Sequence, residues 1–299
     1  MLAGKRPPTD SALNESLIAR LMGKEEAPPR PSNPSRFDCF IGIDYSGAGT
    51  SIARLKGLQW YDARPGREAV KLAPPASKPT ARTANWTRRE VAHMLLDRAR
   101  GDERFVAGID HCFAMPWGYF ERHGLTSWPA FLDHFAQHWP AHEDHASIQE
   151  LRAGLAQKAE PDRHTGKPSE FRLAETWTSS AKSVFLFGVP GAVATSSHAG
   201  IPWLKWLRDQ AGDRLHFWPF DGWEPAPGKS VIAEVYPSIL RRRYPVAGLT
   251  ADEQDASAVA TWLADMAGRG ALGQYFAIPP LTEAEQRIVA CEGWVLGVR

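Results

Sequence analysis

Apolar and polar residues after residue 36 fall into three short stretches of the kind that form β-strands. The stretches are residues 37–44 (FDCFIGID), 51–61 (SIARLKGLQWY) and 67–73 (REAVKLA), and short segments containing Gly, Ser or Pro separate them. Short turns of this composition join antiparallel neighbours. The pattern therefore predicts an antiparallel meander of three strands.

A change in hydrophobic period then predicts a helix followed by a fourth strand. Apolar residues recur at helical spacing within residues 85–101, and Thr87 and Glu90 have the spacing of a capping box. Residues 104–110 (RFVAGID) are short and apolar. Because this strand is reached through a helix, we expect it to run parallel to the first strand.

The next segment, residues 111–229, is too long to be a loop. We expect it to be an insertion on the sheet, with helices in residues 128–139 and 201–212 and a strand in residues 182–189 (KSVFLFGV).

A fifth strand and a long helix close the predicted sheet. Residues 230–237 (SVIAEVYP) form the strand, and the helix begins at a capping box made by Thr250 and Glu253. At about 3.6 residues per turn, Asp252 lies within the apolar stripe of this helix and Asp255 lies at its edge. Both carboxylates are therefore expected to point towards the sheet.

The N-terminal part of the chain has a different composition. Residues 11–23 have the spacing of a short amphipathic helix, and residues 25–36 are rich in Pro. We interpret residues 1–36 as a helix and linker outside a domain that covers residues 37–299. The helix either docks on its own domain or binds a partner.

Composition and charge limit the class of protein. The chain has 299 residues, 43% of them hydrophobic, and 12 Trp, which is enough for a large core. Lys and Arg number 35 and Asp and Glu number 34, so the formal net charge is +1. This balance argues against a protein that binds polyanions over its whole surface, and any nucleic-acid contact must be local.

Cysteine usage and hydropathy indicate a cytoplasmic protein. Cys39, Cys112 and Cys291 are widely spaced and include no CxxC pair, so we interpret them as buried thiols in a reducing compartment. Residues 1–23 lack the apolar core of a secretory signal, and no apolar run approaches the roughly 18 residues of a membrane helix. The sequence therefore predicts no membrane partner, and it indicates no particular protein partner.

Four acidic residues occupy positions that the predicted elements hold in place: Asp44, Asp110, Glu234 and Asp255. Carboxylates that end on adjacent strands form sites for hard divalent cations, and oxygen ligands favour Mg²⁺ or Mn²⁺ over Zn²⁺. Each acid also has a structural interpretation. In this interpretation Asp44 and Asp110 would cap turns, and Glu234 would pair with an arginine. Asp255, like Asp252, would be stabilised in the first turns of its helix by the helix dipole.

The order of elements resembles the ribonuclease H-like fold, a mixed α/β sheet flanked by helices, here with the long insertion between the Asp110 strand and the Glu234 strand. Residues 37–299 are also similar to an uncharacterised bacterial and archaeal family of predicted ribonuclease H-like nucleases. The segments that carry this resemblance are GIDYSGA, GIDHCFAMP, KSVFLFG, IAEVYPSILRRRYP, DEQDASAVATW and EGWVLGV.

The resemblance implies metal-dependent hydrolysis of phosphodiester bonds in nucleic acid or a nucleotide. It gives Asp44 the role of bridging two Mg²⁺ or Mn²⁺ ions, and Asp110 and Asp255 the role of holding one ion each. Glu234 would bind metal or position water. The site residues implied are therefore Asp44, Asp110, Glu234 and Asp255.

Basic residues near these elements are candidates for contacts with substrate phosphates. The candidates are Arg172, Lys182, Arg241 and Arg242. A run of arginines such as 241–243 is also typical of a solvated surface. The sequence contains no recognised module for reading bases.

Two other functions remain open. Residues 46–51 (SGAGTS) faintly resemble the phosphate loop of actin-like kinases, which would make the chain a nucleotide phosphotransferase. A catalytically silent protein that binds nucleic acid or acts as a scaffold would need no convergence of the acids.

A group of histidines allows a separate metal hypothesis. On an unbroken helix His134, His138 and His142 would share one face, with His145 following. Pro140 interrupts such a helix, which favours the alternative of a solvated amphipathic helix.

Overall fold

A mixed six-stranded sheet with helices on both faces organises the chain. In this computed structural model the described residues are 36–75, 85–156, 166–178 and 180–299, and residues from Ser35 to Arg299 form one compact unit. The predicted N-terminal helix and most of the Pro-rich linker lie outside the described residues.

The strands follow the order β3-β2-β1-β4-β6-β5 across the sheet. The first three form an antiparallel meander, and β1, β4, β6 and β5 run parallel to one another. The strands are β1 (Cys39–Asp44), β2 (Gln59–Ala63), β3 (Val70–Lys71), β4 (Phe105–Asp110), β5 (Leu215–Trp218) and β6 (Ser230–Glu234). The predicted meander is therefore confirmed, although β2 begins at Gln59 rather than near residue 51.

Helices follow β3, fill the long segment between β4 and β6, and cover the sheet after β6. They are α1 (Arg88–Arg100), α2 (Trp117–His123), α3 (Trp128–His138), α4 (Ile148–Ala156), α5 (Leu173–Thr176), α6 (Ala194–Ala211), α7 (Ala251–Gly268), α8 (Leu272–Tyr275) and α9 (Glu283–Glu292). Short 3₁₀ turns occupy Gly212–Arg214 and Pro237–Ile239. No helix in the described ranges combines the length and apolar composition needed to cross a bilayer.

Both predicted capping boxes are present. The Thr87 hydroxyl accepts from the Glu90 amide at the start of α1, and the Thr250 hydroxyl accepts from the Glu253 amide at the start of α7. In each helix the glutamate carboxylate accepts in return from the threonine amide, so two otherwise unpaired N–H groups are satisfied.

The strand predicted within residues 182–189 is wrong. Turns fill this segment: the Ser183 carbonyl accepts from the Leu186 amide at 3.0 Å, and the Ser183 hydroxyl accepts from the Phe185 amide at 3.2 Å. Phe185 is nevertheless buried. The apolar residues of this segment are therefore explained by packing in the core and not by pairing in a sheet. The strand that the insertion does contribute is β5, at the sheet edge beside β6.

Alternating side chains divide the core between the two faces of the sheet. Ile43 and Ile109 belong to the core that includes α1, α3 and α6, whereas Phe40, Val106 and Val231 belong to the core that includes α7. All three cysteines are buried free thiols, as predicted. The face on which a strand residue lies decides which core it meets.

Candidate functional site

Two aspartates lie side by side where β1 and β4 end. Asp44 is the register partner of Asp110 in the parallel pair, and both are the last residues of their strands. Register partners in adjacent strands point to the same face of a sheet. The carboxylates of Asp44 and Asp110 therefore lie next to each other on the face covered by α7.

Glycines two residues earlier on the same face allow α7 to approach the strands. A Cβ atom at Gly42 would lie 2.0 Å from the Ala256 carbonyl oxygen, and one at Gly108 would lie 2.7 Å from a methyl group of Val259. No side chain fits in either space, since real Cβ atoms do not approach other atoms so closely. The repeated sequence Gly-Ile-Asp thus combines close helix packing with a carboxylate at the strand end.

The first turns of α7 bring two more carboxylates to this place. Asp252 and Asp255 both raise the pKa of Asp44 through repulsion between negative charges. One oxygen of Asp255 lies 3.6 Å from the Arg241 guanidinium, whereas its other oxygen is buried without a hydrogen-bond partner among the described residues. We call Asp44, Asp110, Asp252 and Asp255 the aspartate group.

Burial and mutual repulsion shift the protonation of the aspartate group. Burial, followed by Asp110, Asp252 and Asp255, raises the pKa of Asp44 well above the ordinary range of an aspartate. Burial, followed by Asp255 and Glu234, does the same to the pKa of Asp110, and Arg241 opposes it. The group therefore holds protons tightly or attracts cations that neutralise it.

Glu234 does not join the aspartate group, because it lies on the opposite face of the sheet. Its register partner on β4 is Ile109, one residue before Asp110, and neighbouring strand residues point to opposite faces. On the α7 face the corresponding place belongs to Val235, which lies against Gly108. Glu234 still lies close enough to Asp110 to raise its pKa, and both residues line one pocket. The offset of one residue therefore argues against the predicted role of Glu234 as a metal ligand but keeps it near Asp110.

Arg172 occupies both carboxylate oxygens of Glu234. Its Nη1 donates to Glu234 Oε2 at 2.7 Å, Nη2 donates to Oε1, and the Phe113 amide donates to Oε2 at 3.0 Å. The arginine pairing is thus the interpretation of Glu234 that the structure supports. The Arg172 side chain is 1% exposed, so its predicted contact with a substrate phosphate is also corrected.

Two further glutamates complete a buried group around Arg172. Glu175 Oε1 accepts from Arg172 Nε at 2.9 Å and from the Cys112 thiol at 3.6 Å. Glu292 accepts from the amides of Trp117 and Leu173, and burial raises its pKa to about 7. We call Arg172, Glu175, Glu234 and Glu292 the arginine–glutamate group.

The other basic residues predicted to contact substrate differ in position. Arg241 reaches the aspartate group through Asp255 and is half-exposed. Lys182 lines a pocket that Asp110 also lines, and its ammonium donates to the Pro190 carbonyl. Arg242 is exposed on the turn after β6.

Sequence reasoning missed Gln59, Glu175 and Glu292. Gln59 is the register partner of Asp44 on β2, is buried, and donates its side-chain amide to the Lys56 carbonyl at 2.6 Å. Glu175 and Glu292 lie on short helical segments far apart in the chain. Gln59 could have been found from its position opposite Asp44 in the meander, but only if the start of β2 had been predicted correctly.

The glycine-rich loop after β1 is held by protein contacts. The buried Arg88 guanidinium donates to the carbonyls of Ser46, Ala48 and Gly49 at 2.7–3.2 Å. A Cβ atom at Gly47 would lie 2.1 Å from the Thr195 carbonyl oxygen on α6. Packing thus explains the small residues of this loop without a bound phosphate.

The histidines do not share an unbroken helix, because α3 ends at His138. The rings of His134 and His138 lie 4.4 Å apart, and His138 Nδ1 lies 2.8 Å from the His134 carbonyl oxygen. His142 follows Pro140 outside the helix.

The donor chemistry of the aspartate group fits a hard cation, since its ligands are carboxylate oxygens and one of them is buried without a partner. Across the ranges that the structure describes, no three His, Cys, Asp or Glu side chains already have the arrangement of a metal site. No protein-family model, curated protein or solved structure matches this chain.

Proposed function

We propose that the aspartate group holds Mg²⁺ or Mn²⁺ and that the chain hydrolyses phosphodiester bonds in nucleic acid or a nucleotide. The observation that carries this proposal is the placement of Asp44 beside Asp110 at the ends of two adjacent parallel strands, near the carboxylates of Asp252 and Asp255 on α7. A folded protein accepts such repulsion at a cost in stability, and activity is a common reason for it.

A ribonuclease H-like arrangement is part of the proposal. The strand order β3-β2-β1-β4-β6 supports it, because a three-stranded meander is followed by parallel strands with acids at the ends of β1 and β4. The extra edge strand β5 comes from the insertion. The early turns of α7 add the helix-borne acids that such a site needs.

Individual residues have distinct roles in this proposal. Asp44 and Asp110 are the central carboxylates, and Asp252 and Asp255 complete the set from α7. A bound divalent cation would supply a water of lowered pKa and positive charge against the phosphate. Arg241 lies at the edge of the group and adds a positive charge that can attract the substrate phosphate.

Carboxylate, rather than carboxylic acid, is the form that binds a cation. Because burial and repulsion raise the pKa of Asp44 and of Asp110, these side chains release their protons only at higher pH or when a cation competes. Metal binding should therefore release protons and strengthen as pH rises. This dependence separates the aspartate group from a site of ordinary surface carboxylates.

The test compares the chain with its Asp44→Asn variant on single-stranded and double-stranded DNA and RNA with Mn²⁺. We expect cleavage by the original chain and a loss of about 100-fold or more in the variant. The matched control is Asp265→Asn, because Asp265 lies on α7 but is bound to Arg269 and Tyr244.

The alternatives give different results in the same experiment. Protection by ATP against thermal unfolding, without cleavage, would favour the phosphotransferase. Nucleic-acid binding that Asp44→Asn leaves unchanged, again without cleavage, would favour the silent binding protein. Equal cleavage by Asp44→Asn and Asp265→Asn would reject the aspartate group as the active site.

A further inference from the structure

The first residue of β2 places a glutamine next to the aspartate group. Gln59 is the register partner of Asp44, and such partners point to the same face of a sheet with their Cβ atoms about 5 Å apart. Trp60 belongs to the core that includes α1 and Tyr61 to the core that includes α7, so alternation also assigns Gln59 to the α7 face. Gln59 therefore lies on the face of Asp44, one strand away.

A hydrogen bond fixes the orientation of the Gln59 side-chain amide. Its Nε2 donates to the Lys56 carbonyl at 2.6 Å, and a carbonyl oxygen accepts but does not donate. The amide oxygen Oε1 therefore points away from the Lys56 carbonyl. Among the residues that the structure describes, none donates a hydrogen bond to Oε1, although Gln59 is only 6% exposed. A buried acceptor without a donor is unfavourable, and a bound cation would remove that cost.

The loop that leads into β2 lies against one carboxylate of the aspartate group. A Cβ atom at Gly57 would lie 3.3 Å from Asp252 Oδ2 and 3.7 Å from the Ser46 hydroxyl oxygen. Asp252 therefore lies on the β2 side of the aspartate group, the side on which Gln59 lies. Three elements, β1, β2 and α7, each bring one oxygen-bearing side chain to this side: Asp44, Gln59 and Asp252.

The opposite side of the aspartate group carries a positive charge. The Arg241 guanidinium, on the turn after β6, lies 3.6 Å from a carboxylate oxygen of Asp255. In the strand order, β6 and β2 lie on opposite sides of the β1–β4 pair. Because repulsion between positive charges falls with distance, a cation is favoured on the β2 side.

We propose that Gln59 Oε1 is a ligand of the divalent cation that Asp44 and Asp252 hold on the β2 side of the aspartate group. Side-chain amide oxygens are accepted ligands of hard divalent cations, and they add no negative charge. A neutral ligand suits a place where carboxylates already repel one another. The inference rests on the proposed function, because it assigns a further ligand to the cation proposed there.

The first experiment measures the Kd of Mn²⁺ by titration calorimetry in the full chain and in Gln59→Met. Methionine keeps an unbranched side chain of similar length, and its thioether does not suit a hard cation. We expect the variant to bind Mn²⁺ about fivefold more weakly or worse. The matched control is Gln286→Met on α9, because Gln286 Nε2 also donates to a preceding carbonyl, that of Leu281 at 3.1 Å. The control should leave the Kd unchanged, and an unchanged Kd in Gln59→Met overturns the proposal.

A second variant separates the role of a ligand from the role of holding the loop. Gln59→Glu loses the donor to the Lys56 carbonyl, as Gln59→Met does, but it keeps an oxygen that can bind the cation. We expect Gln59→Glu to bind Mn²⁺ more tightly than Gln59→Met. Binding that is no tighter would show that Gln59 only positions the loop, and would overturn the proposal.

A crystal structure of the original chain with Mn²⁺ tests the ligand without any variant. Gln59 Oε1 within about 2.5 Å of the ion supports the proposal. An ion that is bound without Gln59 Oε1 overturns it, even if a variant fails to fold.

These outcomes are distinct from failure of the proposed hydrolysis, because none of the measurements needs a substrate. Mn²⁺ binding that depends on Gln59, in a chain that cleaves no nucleic acid, would keep the ligand and reject hydrolysis. Cleavage that depends on Asp44, together with an unchanged Kd in Gln59→Met, would reject the ligand and keep hydrolysis.

Discussion

Two groups of carboxylates lie at the same edge of the sheet, on opposite faces, and differ in how their charge is compensated. In the arginine–glutamate group, Arg172 and backbone amides donate to Glu175, Glu234 and Glu292. In the aspartate group, Asp44 and Asp110 form no ion pair with a described residue, and the ion pair of Arg241 is with Asp255. The first group is completed by the chain itself, whereas the second depends on protons or cations from solution.

The difference separates carboxylates that stabilise the fold from carboxylates that are available for chemistry. Removing a donor from the first group leaves buried charge without a partner, which destabilises the protein. Removing a carboxylate from the second group relieves repulsion, which stabilises the protein while removing its proposed activity. Mutations in the two groups are therefore expected to change the stability of the protein in opposite directions.

The largest expected effect comes from Arg172→Met. The variant should lose about 3–5 kcal/mol of unfolding free energy, because the buried carboxylates of Glu175 and Glu234 lose their guanidinium partner. Urea denaturation measures this loss. The control is Arg64→Met, which breaks an exposed pair with Glu103 and should cost at most about 1 kcal/mol. A similar cost for the two variants would contradict the importance of the buried group.

Gly42→Ala should have the next largest effect. A methyl group at this position would overlap the Ala256 carbonyl, so α7 must move away from β1. We expect a loss of about 1–3 kcal/mol and a loss of Mn²⁺-dependent cleavage, since Asp252 and Asp255 move with the helix. In the control Gly268→Ala, at the other end of α7, the new methyl group makes an ordinary contact with Pro65. If both variants retain stability and cleavage, close packing of α7 is not required.

Asp44→Asn should stabilise the metal-free protein as pH rises. The folded-state pKa of Asp44 is raised, so the folded protein binds more protons than the unfolded chain above the ordinary pKa of about 4. Stability is therefore lost from that pH up to the raised pKa. The variant, which has no such proton to lose, should exceed the original chain by on the order of 1–3 kcal/mol near about pH 8.

The measurement for this prediction is urea denaturation in EDTA at a series of pH values. The two proteins should agree near about pH 3 and below, under the ordinary pKa of about 4, where the carboxyl group is largely neutral in both states. Added Mn²⁺ should stabilise the original chain more than the variant. A variant that is less stable than the original chain at alkaline pH would show that Asp44 has a favourable partner.

The smallest expected effect is that of Arg241→Gln on cation affinity. Arg241 lowers the pKa of both Asp110 and Asp255, so its positive charge opposes a cation at the same carboxylates. Its removal should tighten Mn²⁺ binding by at most about fivefold, which corresponds to about 1 kcal/mol. Arg242→Gln, on the same turn, should leave the Kd unchanged. Titration calorimetry with Mn²⁺ distinguishes the two variants.

Much of the fold follows from local patterns in the sequence. The meander, the parallel strand β4 and both capping boxes depend on alternation, helical period and the Thr-x-x-Glu spacing, all of which are short-range. Strand β5 was not predicted because its four residues carry too short a pattern. Residues 182–189 were wrongly predicted as a strand because a buried turn can have the same run of apolar residues as a buried strand.

The candidate site was predictable only in part. Asp44 and Asp110 were found because each closes an apolar strand, and Asp252 and Asp255 were found because helical period places them towards the sheet. The sheet face of Glu234 was not predictable, because register between strands is set by long-range pairing, which one sequence does not reveal. Its partner Arg172 lies within the insertion, where no pattern connects it to β6.

The single-residue offset between β4 and β6 also indicates how this sheet edge can be rebuilt. Exchange of Glu234 and Val235 would transfer the carboxylate to the α7 face beside Asp110 and leave Arg172 opposite an aliphatic side chain. The order of residues 234 and 235 therefore decides whether the glutamate stabilises the fold or lies at the proposed active site. Such an exchange of two neighbouring residues leaves the composition of the chain unchanged.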